Sequence, residues 1–240
     1  MTMDTRVDEI ADKIYRLCTF LPQLGPKGFQ FNQFLVDAEQ PLLFHCGQRA
    51  LFPSVSAAVA RLMDVKRLRW IAFSHVEADE CGALNEWMSA APASTVTHGA
   101  IGCGIWLNDQ APRPPRALAN DEVLDLGGRR VRRLDTPHVP HCWDAGLMLE
   151  ETTGTLFCSD LFTHVGDATP LTDGDILGPA LAAERQFGFT GVGPATGATI
   201  RRLAGLKPRT LAVMHGSSYT GDGAAQLDRL AEFYDARLRS

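Results

Sequence analysis

The chain has 240 residues, of which 45% are hydrophobic and 21% charged, and its net charge at pH 7 is −5. This composition can bury a sizeable globular core, whereas the acidic balance argues against nucleic acid or an anionic membrane as the main partner, because both require clustered basic residues. No segment approaches the ~20 consecutive apolar residues of a transmembrane helix, so we expect no membrane insertion.

The six cysteines are scattered along the sequence and form no C-x-x-C pair. In a sequence of this size whose start lacks a signal-peptide pattern, they indicate reduced thiols. We therefore expect a cytoplasmic protein.

Short β-type segments dominate the first part of the chain. Runs of apolar, aromatic and β-branched residues between turns rich in Pro and Gly predict strands over residues 14–20, 31–36, 42–44 and 67–73. Apolar residues at helical spacing predict two helices, one over 54–63 with Ser54 as its N-cap and one over 83–91.

The second half alternates strands with helices. Strands are predicted over 131–134, 146–149, 155–158 and 210–214, and helices over 180–185, 199–206 and 224–238. The last helix carries one broad apolar stripe, which indicates packing against a core. The pattern predicts an α/β fold in a single domain over residues 1–240, with sheets in the middle and helices outside.

The densest group of metal-binding residue types is the segment Ser74-His75-Val76-Glu77-Ala78-Asp79-Glu80. It follows a predicted buried strand and precedes a predicted helix. Alternate residues of an extended segment point to the same side, so we expect His75, Glu77 and Asp79 to converge on one cavity. Taken alone, the segment is equally compatible with a solvated acidic loop.

Three other strand ends carry residues of the same types. His138 and His141 follow the strand that ends at 134, Asp160 follows the strand 155–158, and His215 follows the strand 210–214. Strands that end side by side project such residues into a shared pocket. Together, the four segments predict a two-metal site.

With these motifs the chain resembles the metallo-β-lactamase superfamily. His75-x-Glu77-x-Asp79 is similar to the H-x-E-x-D motif of its di-iron branch, the flavodiiron proteins and their stand-alone oxygen-binding relatives, where the zinc hydrolases have H-x-H-x-D-H. Further similar segments are the strand 31–36, His141 with Asp144, Ser159-Asp160 and His215-Gly216. The resemblance covers nearly the whole chain and implies a four-layer αββα sandwich.

The resemblance also implies a ligand set. It consists of His75, Glu77 and His141 for one metal, Asp79 and His215 for the other, and Asp160 as a bridge, joined by a bridging hydroxide or oxo group. His138 is the alternative to His141, which the spacing to Asp144 favours.

Two positions depart from the family pattern. Glu80 stands where the family usually has histidine, and it is a candidate further ligand of the second metal or a residue that tunes that metal. His45 stands where an early turn usually carries an aspartate behind the site. Histidine does not offer the same fixed negative charge, so the sequence alone does not identify the residue that holds the metal ligands from behind.

The ligand types favour iron. The carboxylates of Glu77, Asp79 and Asp160 offset most of the charge of two divalent ions, and a bridging hydroxide offsets the rest. Hard oxygen donors suit iron or manganese, whereas a histidine-dominated set suits zinc. We expect two iron ions, with zinc or manganese as the alternatives.

Two functions are compatible with such a site. The first is binding of O2 or NO at a di-iron centre, in an oxygen sensor or carrier or in a reductase. The sequence shows no segment similar to the flavin domain of the flavodiiron proteins, so we expect a separate electron donor or a signalling protein as the partner. A homodimer is compatible with either role. Aromatic residues that could wall the pocket, or simply pack, are Tyr219, Phe162, Trp143 and Trp106.

The second function is a two-metal zinc hydrolase. A metal-bridging hydroxide would attack a phosphodiester, a thioester or a lactone. The fold supports both functions. Glu77, in a position where the hydrolases have histidine, counts against the second.

Overall fold

The N-terminal half of the chain builds the first of two sheets in the computed structural model, which describes residues 4–239. The strands follow one another in chain order. They are β1 (Thr5–Ala11), β2 (Ile14–Leu21), β3 (Phe29–Val36), β4 (Leu42–Phe44), β5 (Trp70–Ala72), β6 (Thr95–Gly99) and β7 (Arg116–Leu118). Strands β1 to β4 pair antiparallel, whereas β4 to β7 pair parallel. The parallel strands therefore end at one common edge.

The C-terminal half builds the second sheet, in the order β12-β14-β13-β11-β10-β9-β8. Its strands are β8 (Val123–Asp125), β9 (Arg130–Asp135), β10 (Gly146–Glu150), β11 (Thr155–Ser159), β12 (Leu171–Thr172), β13 (Thr210–Val213) and β14 (Ser218–Thr220). At its centre β11 and β13 pair parallel. The residues that follow these two strands are therefore neighbours in space.

Helices connect the strands. They are α1 (Phe52–Ala60), α2 (Ala78–Cys81), α3 (Leu84–Ala90), α4 (Ala100–Gly102), α5 (Asn108–Gln110), α6 (Leu177–Phe187), α7 (Thr196–Ala204) and α8 (Gly223–Arg239). A π-helical turn, Cys103–Leu107, joins α4 to α5, and short 3-10 turns span Arg49–Leu51 and Val65–Arg67. Among residues 4–239, no helix combines the length and apolar character needed to span a bilayer.

Three apolar layers hold these elements together. Between the sheets, Phe44 of β4 stacks on Phe157 of β11 with ring centroids 4.9 Å apart. On the outer side of the first sheet, α1 and α3 contribute Val55 and Trp87 to a second layer. Helices α6 to α8 cover the outer side of the second sheet in the same way. This arrangement confirms the predicted αββα sandwich.

The sequence located most of the interior strands, but it missed β6 and β14 and all the strands at the sheet edges. The four edge strands are β1, β7, β8 and β12, and none of them was predicted, because an edge strand is short or partly solvated and its apolar periodicity is weak. The first helix begins at Phe52 rather than at Ser54, with Pro53 in its first turn. The hydroxyl of Ser54 donates back to the Leu51 carbonyl at 3.1 Å, so Ser54 is not the N-cap.

Trp87 offers a test of the layer beneath the first sheet. Its side chain is fully buried, its Nε1 donates to the Cys46 carbonyl at 2.9 Å, and its ring meets Phe52 edge-on. We expect Trp87→Phe to lower the free energy of unfolding by about 1–3 kcal/mol, because the buried carbonyl loses its donor. Urea unfolding measures this change. The exposed Trp143→Phe is the control, and equal effects of the two substitutions would contradict this reading.

Candidate metal centre

The predicted ligands lie where strands of both sheets end. His75 comes shortly after β5 of the first sheet, whereas Asp160 directly follows β11 and His215 comes shortly after β13. The parallel pairing of β11 and β13 places Asp160 beside His215. His141 reaches the same place from the loop between β9 and β10. The structure thus brings together residues from segments far apart in the sequence.

The backbone path through the motif differs from the prediction. Glu77 is extended, with φ −146° and ψ 155°, but α2 begins at Ala78, so the extended segment does not reach Asp79. Both carboxylates still line one cavity. The helical turn directs Asp79 to a different set of neighbours from those of Glu77.

The first set of neighbours gathers around Glu77. Its Oε2 lies 3.0 Å from Nε2 of His75 and 3.0 Å from Nε2 of His141. Oδ2 of Asp160 lies 3.6 Å and 3.5 Å from the same two nitrogens. These four side chains have the spacing of a metal-binding group. We call them the front group.

The second set gathers around His215. Its Nε2 lies 3.2 Å from Oδ2 of Asp79 and 3.1 Å from Oδ1 of Asp160. We call His215 and Asp79, with that oxygen of Asp160, the rear group. Asp160 therefore turns one carboxylate oxygen to each group, which is the geometry that a bridging ligand needs.

Each of the three histidines is held from behind by its other ring nitrogen. Nδ1 of His215 lies 2.8 Å from the Gln30 carbonyl, and Nδ1 of His141 lies 3.1 Å from the Phe189 carbonyl. Nδ1 of His75 lies 2.7 Å from the hydroxyl of Ser74. A carbonyl can only accept, so it fixes a proton on Nδ1 and leaves Nε2 facing the carboxylates. Metal-ligating histidines are held in this way.

The electrostatics show a site that is short of positive charge. Burial alone would lower the pKa of His75, but Glu80, Glu77 and Asp160 outweigh it and raise that pKa to about 10. Burial would also lower the pKa of His215, but Asp160 and Asp79 outweigh this effect and raise that pKa to about 10. The hydrogen bonds from His141 and His75 hold the pKa of Glu77 well below its usual range. Protons on the histidines fill the place that cations would take, so the donor set fits metal ions.

Glu80 lies apart from both groups. Its carboxylate is buried behind His75, where Oε1 lies 3.3 Å from Nδ1 of His75 and Oε2 lies 3.3 Å from Nδ1 of His45. Oε2 also accepts from the backbone N–H groups of Ser74 and His75. This placement opposes the expectation that Glu80 is a ligand of the second metal. Its oxygens contact His45, His75 and backbone N–H groups instead of the rear group.

His138, the alternative to His141, is not part of the site. Its side chain is exposed and its backbone turns with φ 64°. The backbone N–H of His138 donates to the Cys142 carbonyl at 2.7 Å, which closes the turn that presents His141. The position of His138 is therefore structural.

A cavity of about 600 Å³ opens over the two groups. The four aromatic residues that the sequence offered as pocket walls or as packing residues do not line it. Tyr219 and Phe162 are buried in the layer beneath α6 to α8, Trp106 packs behind the first sheet, and Trp143 is 55% exposed. The apolar walls are instead formed by Leu24, Phe29, Phe31, Val165, Phe187 and Phe189.

Two of these walls could have been found from the sequence. Phe29 and Phe31 alternate at the start of β3, and their ring centroids lie 4.5 Å and 5.2 Å from that of His215. Phe187 is the last residue of α6 and Phe189 follows it, in a segment without a recognisable pattern. Only the fold brings that segment over His141.

Comparisons with known proteins agree on one family. The model of a family described as "ODP family beta lactamase" matches residues 29–175. The "Putative diflavin flavoprotein A 1" of Nostoc sp. is 27% identical over 199 residues, which are 79% of this chain and 33% of that protein. The "Rubredoxin-oxygen oxidoreductase" of Megalodesulfovibrio gigas is 22% identical over 206 residues, 82% of this chain and 51% of that protein. The chain thus spans about a third to a half of the length of these relatives.

The solved structures agree in fold. A variant of a flavo di-iron protein from Thermotoga maritima superposes with a TM-score of 0.83 at 17% identity, over 97% of this chain and 63% of that one. This similarity confirms the metallo-β-lactamase-like sandwich that the motifs implied.

Proposed function

Because the chain belongs to the ODP family of metallo-β-lactamase-like proteins, we propose that it holds two iron ions and binds O2 or NO at them. The front group would hold one ion through His75, Glu77, His141 and Oδ2 of Asp160, and the rear group would hold the other through Asp79, His215 and Oδ1 of Asp160. The single observation that carries this proposal is Asp160, whose two oxygens each face a different group. A hydroxide or oxo group would complete the bridge.

Iron is favoured by the composition of the donor set. Glu77, Asp79 and Asp160 bring hard oxygen donors to a site with three histidine nitrogens, and such a mixture suits iron or manganese better than zinc. When bound, iron would supply the electrons for O2 or NO chemistry. The names of similar proteins, a flavo di-iron protein and a rubredoxin-oxygen oxidoreductase, support the same choice.

Apolar walls and firmly held histidine rings make the site suitable for a small apolar ligand. Phe29 and Phe31 pack against His215 and keep water from that side. The carbonyls of Gln30 and Phe189 hold the rings of His215 and His141 in place. The apolar cavity gives a diatomic molecule access, so we propose an oxygen-responsive protein whose electrons come from a separate donor or whose state is read by a signalling partner.

A reducing compartment suits this role. All six cysteines are free thiols in the structure, and Cys46, Cys81 and Cys158 are buried. This supports the proposal that the protein works in the cytoplasm.

Anaerobic reconstitution with ferrous iron tests the proposal. We expect about two iron ions per chain and an absorption band in the near-ultraviolet and visible that changes when the reduced protein meets O2. His141→Gln should lose the band, whereas His138→Gln, the matched control from the same loop, should keep it. Two tightly held zinc ions, no O2-sensitive absorption and turnover of a chromogenic phosphodiester would instead establish the two-metal hydrolase.

A further inference from the structure

One buried carboxylate, that of Glu80, contacts the ends of β5 and β11, which carry ligands of the site, and the end of β4 behind them. The backbone N–H groups of Ser74 and His75, after β5, donate to its Oε2 at 2.7 Å and 2.9 Å. The hydroxyl of Ser159, at the end of β11, donates to its Oε1 at 2.5 Å. His45, after β4, faces it from the other side at 3.3 Å. Only 1% of Glu80 is exposed, so these contacts are made without competition from bulk water.

The hydrogen bonds behind His75 allow one direction of proton donation. The Ser74 hydroxyl lies between Nδ1 of His75, at 2.7 Å, and Oε1 of Glu80, at 2.8 Å. The Ser74 hydroxyl also lies 2.6 Å from the Ser159 hydroxyl, which gives its own proton to Glu80. The single proton of Ser74 therefore goes to Glu80 or to Ser159, and in either case Ser74 accepts from His75. Nδ1 of His75 therefore carries a proton, and Nε2, which faces Glu77, is the nitrogen left to bind a metal ion.

The Glu80 carboxylate also holds the strand end that carries Asp160, the proposed bridging ligand. Ser159 directly precedes Asp160 and adopts φ 51°, a conformation that is uncommon for residues other than glycine. Its hydroxyl is tied to Glu80. Loss of this bond would free the strand end that aims Asp160 at both groups.

His45 and Glu80 are a matched pair. The family pattern has an acidic residue in the early turn and a histidine after the motif aspartate, and this chain has the reverse. The two side chains are in contact and buried. The acid and the imidazole behind the site are therefore both present, with their positions in the sequence exchanged.

We infer that Glu80 is the positioning residue of this centre. It fixes the Nδ1-protonated form of His75, and it holds Asp160 in place through Ser159. Its carboxylate, beside His45, also supplies the negative charge that the early turn lacks. The inference rests on the proposed metal-binding role of His75. It adds a cause for the orientation of the ligands, and it places Glu80 behind His75 of the front group rather than among the ligands of the rear group.

Zinc, a diamagnetic probe, allows a test that does not depend on iron or O2. We expect Glu80→Gln to weaken zinc binding at the front group by about 10- to 100-fold, the usual cost of losing a partner behind a ligand. In the zinc-loaded protein, the nitrogen-15 NMR signal of the protonated Nδ1 of His75 should shift or vanish. Glu86→Gln is the matched control, since Glu86, which lies on α3 away from the site, pairs with the exposed Arg49. Wild-type affinity and an unchanged Nδ1 signal in Glu80→Gln would overturn the inference.

The exchange of positions has its own test. Glu80→His alone should lose front-group zinc, and the double variant His45→Asp with Glu80→His should recover at least half of it, because the acid and the imidazole are again paired. A double variant that folds yet binds no better than Glu80→His would overturn the pairing. A wild-type protein that binds two zinc ions but no iron would refute the proposed function and leave the role of Glu80 measurable.

Discussion

Asp160→Asn is expected to release metal from both halves of the centre. Its two oxygens lie near different nitrogens, Oδ2 near His75 and His141 and Oδ1 near His215. An asparagine keeps the shape, but it removes the negative charge shared by the two ions and replaces one donor oxygen by an amide that cannot ligate. We expect the affinity for both ions to fall by more than the ~100-fold that marks the loss of a partner behind a ligand.

Metal analysis after reconstitution and gel filtration measures this loss. Asp228→Asn, an exposed substitution on α8, is the matched control and should retain the metal content of the wild type. His215→Gln provides the comparison for a single group, because it should empty the rear group first. If Asp160→Asn retained one ion at full affinity, the carboxylate would belong to one group only and would not be a bridge.

The metal-free protein is expected to lose stability as the pH rises. The pKa values of His75 and His215 are raised to about 10 in the folded state, whereas a histidine in the unfolded chain has a pKa of about 6.5. A raised pKa contributes stability that is complete below the unfolded value and is lost as the pH rises towards the folded value. Between these limits the two histidines together should lower the free energy of unfolding by about 2–3 kcal/mol per pH unit.

The best window for this measurement is about pH 7.5 to 8.5. His98 is buried and its pKa is lowered to about 3, so it is neutral in both states throughout this window. Burial raises the pKa of the Cys81 thiol to about 12, whereas a thiol in the unfolded chain has a pKa of about 8.5. Such a thiol adds to the slope as the pH approaches 8.5, so the lower part of the window reports the histidines best. Urea unfolding of chelator-treated protein should show the slope, and His215→Gln should remove about half of it.

Bound metal should reverse the pH dependence. The ions take the place of the histidine protons, so metal binding releases protons and its affinity rises with pH. If the metal-free protein were equally stable across the window, His75 and His215 would not carry the extra protons. Metal ions would then not be replacing an existing positive charge.

The sequence by itself determined the fold class and the identity of the six candidate ligands. Local patterns predicted an α/β fold with metal-binding residue types where apolar runs end, and the resemblance to the metallo-β-lactamase superfamily implied the αββα sandwich and the ligand set. Such patterns involve neighbouring residues, so they can be recognised without knowing the rest of the chain. The H-x-E-x-D spacing carried the same information for the metal type.

Only the tertiary structure decided which residues share a group and which lie behind them. Glu80 follows Asp79 directly, yet one turn of helix directs it to His75 and His45 instead of His215. The cavity walls came from Phe187 and Phe189 rather than from Tyr219. Side-chain direction depends on how distant strands and loops pack against each other, and one sequence read locally does not contain that information.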